Sequence, residues 1–66
     1  MKAREIHELD VDELAAKERE AREQLFRLRF QIQMGQTDGL KKYRALKKDL
    51  ARLMTEKRER ELAGKS

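Results

Sequence analysis

Apolar residues recur along this chain at alternating steps of three and four on both sides of one short, glycine-bracketed segment, and this pattern limits the possible fold more than any other feature. Before the segment, Val11, Leu14, Ala21, Leu25, Leu28 and Ile32 keep the spacing, with Glu18 in the single missing place. After it, Tyr43, Leu46, Leu50 and Leu53 repeat the pattern, with Leu40 and Met54 at its margins. Spacing of this kind lines one side of an α-helix with apolar groups. Gly35 and Gly39 enclose Gln36, Thr37 and Asp38, and with proline absent this is the only internal turn signal. Two stripes joined by one short loop predict an all-α fold, an antiparallel two-helix hairpin with long helices over about 11–34 and 39–62. The arms are expected to be about 36 Å and about 34 Å long at 1.5 Å per residue, so they can pair along their whole run.

The helix ends are also legible. Asp10 suits an N-cap, Glu13 occupies the third helical position of a capping box, and Leu9 and Leu14 are spaced as a hydrophobic staple. Gly35 suits the left-handed residue just past a helix end, and Thr37 or Asp38 is placed to cap the next helix. Residues 2–8 are expected to form a short N-terminal helical turn, with Ile6 and Leu9 tucked against the open end of the hairpin. Residues 1–66 thus read as a single helical-hairpin domain, with 1–9 as N-terminal segment, 35–39 as turn and 63–66 as a fraying tail that has nothing to bury.

Sixty-six residues, 45% of them charged and 5% aromatic, leave no material for a deep catalytic pocket. The acids from Glu5 to Glu23 are spread round a helix and spaced to pair with bases such as Arg19 and Arg22. No glycine-rich phosphate loop, nucleophile–base pair or metal-ligand spacing is present, so neither enzymatic activity, a small-molecule substrate nor a cofactor is expected. Cysteine is absent, which excludes disulfides and thiolate metal sites, and the lone His7 reads as a solvated side chain without a role. The first residues lack the apolar core of a signal peptide, and no stretch approaches the roughly 20 apolar residues of a membrane span. A soluble, cytoplasmic protein is the expectation.

Charge is distributed unevenly. Residues 1–34 hold seven Lys or Arg against eight acids, whereas from Leu40 to Leu62 nine bases face four acids, within a net charge of +4. A basic second half is the asymmetry of a nucleic-acid-binding face. On a helical wheel the side of the second helix opposite Leu46, Leu50 and Leu53 carries Lys41, Arg44, Lys48, Arg52 and Thr55, with Ala51 among them and Glu59 as the sole acidic interruption. Each base that neutralises a phosphate releases counterions, and a small residue such as Ala51 permits close approach. On the first helix Phe26, Phe30 and Met34 fall opposite the internal stripe at steps of four. A two-helix hairpin cannot bury both sides of one helix, so a partner surface, RNA or protein, is expected to cover that row. The N-terminal segment would have to reach about 28 Å to cover Phe30. Arg27, Arg29, Gln31, Gln33 and Gln36 supply hydrogen-bond donors around it.

The order and spacing of several short runs closely resemble the bacterial large-subunit ribosomal protein L-twenty-nine family over nearly the whole chain. The runs are Glu23 with Leu25-Phe26, Leu28-Arg29-Phe30-Gln31, Gly35-Gln36, then Lys47-Lys48-Asp49-Leu50-Ala51-Arg52-Leu53 and Thr55. The opening Met1-Lys2-Ala3-Arg4-Glu5-Ile6 and the later Arg58-Glu59-Arg60-Glu61-Leu62 are similar to that family too. The resemblance implies a helical hairpin bound to large-subunit rRNA near the exit of the nascent-chain tunnel. It also implies a neighbouring ribosomal protein of the L-twenty-three family, in a neighbourhood where chaperones and the signal recognition particle dock. It implies further that Leu28-Arg29-Phe30-Gln31, Gly35-Gln36 and the basic row around Lys48, Ala51, Arg52 and Thr55 lie against RNA or neighbouring protein. Taken with the charge and wheel reading, the expected RNA-binding residues are Arg27, Arg29, Gln31, Gln36, Lys41, Arg44, Lys47, Lys48, Arg52, Thr55 and Arg58, with Phe26, Phe30 and Met34 packing against a partner. Thr37 and Gly39 stand where the family usually has leucine and asparagine, and Tyr43 where an aliphatic residue is usual, which implies a looser loop. Two readings compete with a ribosomal component. One is a self-associating hairpin whose copies form a four-helix bundle over Phe26, Phe30 and Met34; the other is a DNA-binding coiled coil, for which the stripes are short.

Overall fold

The computed structural model describes residues 1–64, which form an all-α hairpin 47 Å long and 17 × 16 Å across. The elements are α1 (Ala3–His7), α2 (Val11–Gln33), a 3-10 turn (Thr37–Gly39) and α3 (Leu40–Gly64). Both long helices lie within two residues of the expected bounds. At the far end the difference is real: Ala63 and Gly64 continue α3 instead of fraying, while Lys65 and Ser66 of the expected tail lie outside the described residues.

Local chemistry explains where the helices begin and end. Asp10 Oδ1 accepts from the Glu13 backbone N–H at 2.8 Å, and Glu13 Oε1 receives the Asp10 N–H at 3.5 Å, which closes the capping box. The chain leaves α2 through Gly35, whose φ of +95° is the left-handed conformation that disfavours any side chain. There the Gly35 N–H donates to Ile32 O and the Gln36 N–H to Gln31 O, both at 3.0 Å, a Schellman motif that satisfies the last carbonyls of α2. Neither Thr37 nor Asp38 caps α3 from outside. Both are drawn into the 3-10 turn, which leads straight into α3 and carries no side-chain cap. The loop is tight at Gly39, because a Cβ there would stand 3.1 Å from Leu28 Cδ2.

Packing is uneven along the seam. Leu25, Leu28, Ile32, Tyr43, Leu46 and Leu50 face the opposite helix but stay half-buried. Full burial is confined to Ile6, Leu14, Ala21 and Leu53 toward the open end, with Leu9, Leu46 and Leu50 packed against them. The stripe on α2 therefore starts at Leu14, and Val11 in the first turn of the helix is 73% exposed. Glu18, in the gap of the stripe, is held at the helix boundary by Arg22 at 3.1 Å and by Lys57 of α3 at 3.6 Å.

The short α1 closes the open end. It lies along α3 with Met1 beside Asp49 and His7 beside Glu56, so the two run in the same direction. Ile6 is thereby driven to 2% exposure and Leu53 to 1%. A polar cluster fastens the docking. The buried Glu56 accepts from Arg60 Nε at 3.0 Å and lies 3.0 Å from His7 Nδ1. The Arg60 guanidinium also donates to the carbonyls of His7 and Leu9, which α1 leaves without helical partners. His7 is exposed but not without a role, because the fold brings it to a carboxylate 49 positions away.

Two outcomes follow from this arrangement. Leu53→Ala should cost about 2–5 kcal/mol, the range for emptying a buried leucine site, and lower the thermal midpoint followed by circular dichroism by many degrees. Acid should act through Asp10 and Glu56. The Glu13 backbone N–H holds the Asp10 carboxyl below its ordinary value, and the Arg60 hydrogen bond, reinforced by His7 against the opposing effect of burial, does the same for Glu56. A carboxyl depressed in the folded state contributes stability that is complete above its unfolded value and lost as pH falls through the folded one. Urea midpoints should therefore fall between neutral pH and pH values below the ordinary carboxylate range, and Glu56→Gln should reduce that fall.

Candidate nucleic-acid interface

Folding the two arms together concentrates cations at one end. The stretch nearest the loop, residues 24–48, contains Arg27, Arg29, Lys41, Lys42, Arg44, Lys47 and Lys48, against Asp38 as its single acid. Glu23 and Asp49 flank that stretch, the first on Arg27 and the second on the Met1 amino group, while Glu18 and Glu56 nearer the open end engage Arg22, Lys57 and Arg60. Among the described residues, Arg29, Lys41, Lys42, Arg44, Lys48 and Arg58 make no ion pair. Cations held close together without counter-charges raise the local positive potential and leave their binding capacity for an external anion.

The expected RNA-binding residues do not converge on one patch. Lys41, Arg44 and Lys48 form an exposed ridge along the outside of α3. Arg29 and Lys47 face a groove on one broad side of the hairpin, floored by Leu25 and Leu50, in which Phe26 and Ala51 also stand. Arg58 and Thr55 continue that side toward the open end. Arg27 and Gln31 line a different groove on the opposite side, with Lys42 and Asp49. Gln36 is exposed at the loop. Arg27 is engaged by Glu23 at 3.2 Å, with both side chains largely exposed, so the pair contributes little and is easily exchanged for another anion.

Two members of the wheel-derived row have partners the wheel could not reveal. The Arg52 guanidinium donates to the carbonyl of Met1, which ties α3 to the N-terminal segment. The Thr55 hydroxyl donates to Ala51 O at 2.8 Å within its own helix, leaving its lone pairs free to accept. Lys47 is held 5.6 Å above the centre of the Tyr43 ring one turn earlier, a cation–π contact that fixes an otherwise flexible ammonium beside the groove. Arg22 belongs with this set although its spacing suggested only a surface ion pair. It lines the same groove as Phe26 and Lys47 and reaches Met54 Sδ of α3 at 3.6 Å. Only the register between the helices places it there.

Phe26, Phe30 and Met34 are 73%, 57% and 70% exposed. The N-terminal segment does not cover them, since α1 lies on α3 at Ala51, Arg52 and Glu56. Among the described residues no group of His, Cys, Asp and Glu is arranged to hold a metal ion, and no helix is long and apolar enough to cross a membrane.

The hairpin thus presents a cation-rich loop region and a bare row of Phe26, Phe30 and Met34. Comparison with known proteins shows its family. Residues 4–60 match the family model described as Ribosomal L29 protein. The large ribosomal subunit protein uL29 of Solibacter usitatus is 58% identical over 64 residues, covering 97% of this chain and 96% of the relative. Its namesake in Acidobacterium capsulatum is 56% identical and covers 96% of this chain and 69% of the relative. That of Geobacillus stearothermophilus is 48% identical, covering 96% of each. No solved structure matches the chain. The chain belongs to the Ribosomal L29 protein family.

The strap from Arg52 to Met1 gives a direct outcome. Arg52→Ala should speed amide exchange in α1 while leaving that of the paired middle of α2 and α3 nearly unchanged, because the lost hydrogen bond anchors only the N-terminal segment.

Proposed function

We propose that this protein is a structural, non-enzymatic constituent of the large ribosomal subunit in the cytoplasm, and that its loop half binds large-subunit rRNA. The observation that carries the reading is the ridge of Lys41, Arg44 and Lys48, which makes no ion pair in a loop stretch, residues 24–48, holding a single acid. Membership of the ribosomal family supports it. Binding is electrostatic docking with packing of a helix face. Phosphates neutralise the ridge, and the groove side with Arg29, Lys47, Thr55 and Arg58 meets a second surface of the RNA. Arg27, Gln31 and Gln36 then serve the opposite side and the loop.

The same reading sets the protein near the exit of the nascent-chain tunnel, beside a ribosomal protein of the L-twenty-three family. It also puts the protein in the area where chaperones and the signal recognition particle dock. Two-sidedness supports such a position, because cations and uncovered apolar groups occur on more than one face. A self-associated four-helix bundle would also cover Phe26, Phe30 and Met34, but it would press Arg29 and Lys47 of one copy against those of another.

Lys41→Glu, Arg44→Glu and Lys48→Glu should each weaken binding of large-subunit rRNA. Each should also lower the slope of log affinity against log salt by about 0.7–0.9 for every phosphate contact removed, with helix content unchanged. A salt slope identical to that of the parent protein in all three variants, or a stable dimer by light scattering with no salt-dependent RNA affinity, would overturn the reading.

A further inference from the structure

We infer that the groove between α2 and α3 and the exposed Phe30 ring one turn beyond it hold unpaired nucleobases of the RNA, with Phe26 in the groove and Phe30 at its edge as stacking platforms and Arg29 and Lys47 on the adjoining phosphates. The inference rests on the rRNA-binding reading and specifies what that RNA presents at this site. Three observations carry it. The groove is lined by the cations Arg22, Arg29 and Lys47 and by no carboxylate, whereas four further grooves on the hairpin each contain at least one Asp or Glu. The three aromatic residues of the chain are Phe26, Phe30 and Tyr43, and Phe26 and Tyr43 stand on this groove. Tyr43 is half-buried and one face of its ring is taken by Lys47, whereas the rings of Phe26 and Phe30 are the exposed π surfaces.

Charge and shape together select the occupant. A second copy of this chain would set Arg29 and Lys47, which make no ion pair, against their own kind, without a carboxylate in the groove to relieve the repulsion. Duplex RNA offers a deep, narrow major groove that side chains cannot read and a minor groove of hydroxyls and base edges, neither of which covers a benzyl ring well. Unstacked bases offer both properties at once. Each has a π face that stacks on an aromatic side chain and a phosphate that needs a cation. Phe26 and Phe30 are one helical turn apart, about 6 Å along the axis, so successive splayed bases can reach successive rings.

The experiment uses the assembled subunit. A photo-crosslinking benzophenone side chain is placed at position 26 or 30 of the full chain, large subunits are purified from cells that carry it, and adducts are mapped after irradiation. Adducts to unpaired rRNA nucleotides are expected. In subunits carrying Phe30→Leu, which keeps an apolar cover but removes the π face, the mapped nucleotides should become several-fold more reactive to 2′-hydroxyl acylation as their stacking is lost. Adducts confined to protein or to paired RNA, or unchanged acylation in the leucine variant, overturn the inference while leaving the rRNA-binding reading in place. Failure of the unmodified chain to associate with large subunits would overturn both.

Discussion

Burial of Ile6 against Leu53 is the contact on which the rest of the structure depends. Two helices that share one seam protect each apolar side chain from one direction only, which is why Leu25, Leu28, Leu46 and Leu50 remain partly exposed. A third element is needed before any side chain becomes dry. The five residues of α1 supply it, and the two most deeply buried side chains of the protein are the pair that this docking creates. Arg60 and Glu56 then satisfy the polar groups that the docking would otherwise strand, so the closure carries little unpaired polar cost.

A division of labour along the long axis results. The open end holds the buried core, the acids and most of the ion pairs, and so bears most of the stability. The loop end holds cations that make no ion pair, including Arg29, Lys41, Lys42, Arg44 and Lys48, and the uncovered rings of Phe26 and Phe30, features that lower the stability of an isolated chain and raise its affinity for a polyanionic surface. The two acids that adjoin these bases, Glu23 and Asp49, are engaged by Arg27 and by the Met1 amino group, so the ridge of Lys41, Arg44 and Lys48 keeps its charge for an external anion. The hairpin can thus be anchored at one end and grasped at the other, which suits a component wedged into a larger particle.

Much of this was legible in the linear chain. Stripe periodicity specified two helices, the Asp10–Glu13 capping box and Gly35 marked the limits of α2, and the wheel set Phe26, Phe30 and Met34 on an uncovered side. Less legible were features whose partners lie far apart in the chain. His7 near Glu56, Arg52 on the Met1 carbonyl and Arg22 beside Met54 join residues 32 to 51 positions apart, and no local pattern encodes such a separation. Val11 fitted the stripe and yet is exposed, because periodicity says which side of a helix a residue occupies and not how much of it is covered. Thr37 and Asp38 had the chemistry of caps, but the short span between Gly35 and Leu40, with Gly39 close to Leu28, drew them into a 3-10 turn.

The basic second half of the chain and the helical hairpin were determined by the sequence alone, because each depends on residue type and on spacing within one helix. Tertiary structure decided which cations act together. Helix register, set by the Leu53 node and the tight turn at Gly39, brings Arg29 and Arg22 of α2 to Lys47 of α3 across a carboxylate-free groove. The same register takes Arg52 out of the free row and gives it to the N-terminal segment. A wheel drawn for one helix shows which side a charge occupies, but whether that side meets solvent, a neighbouring helix or a terminus is decided only when the separate elements are packed.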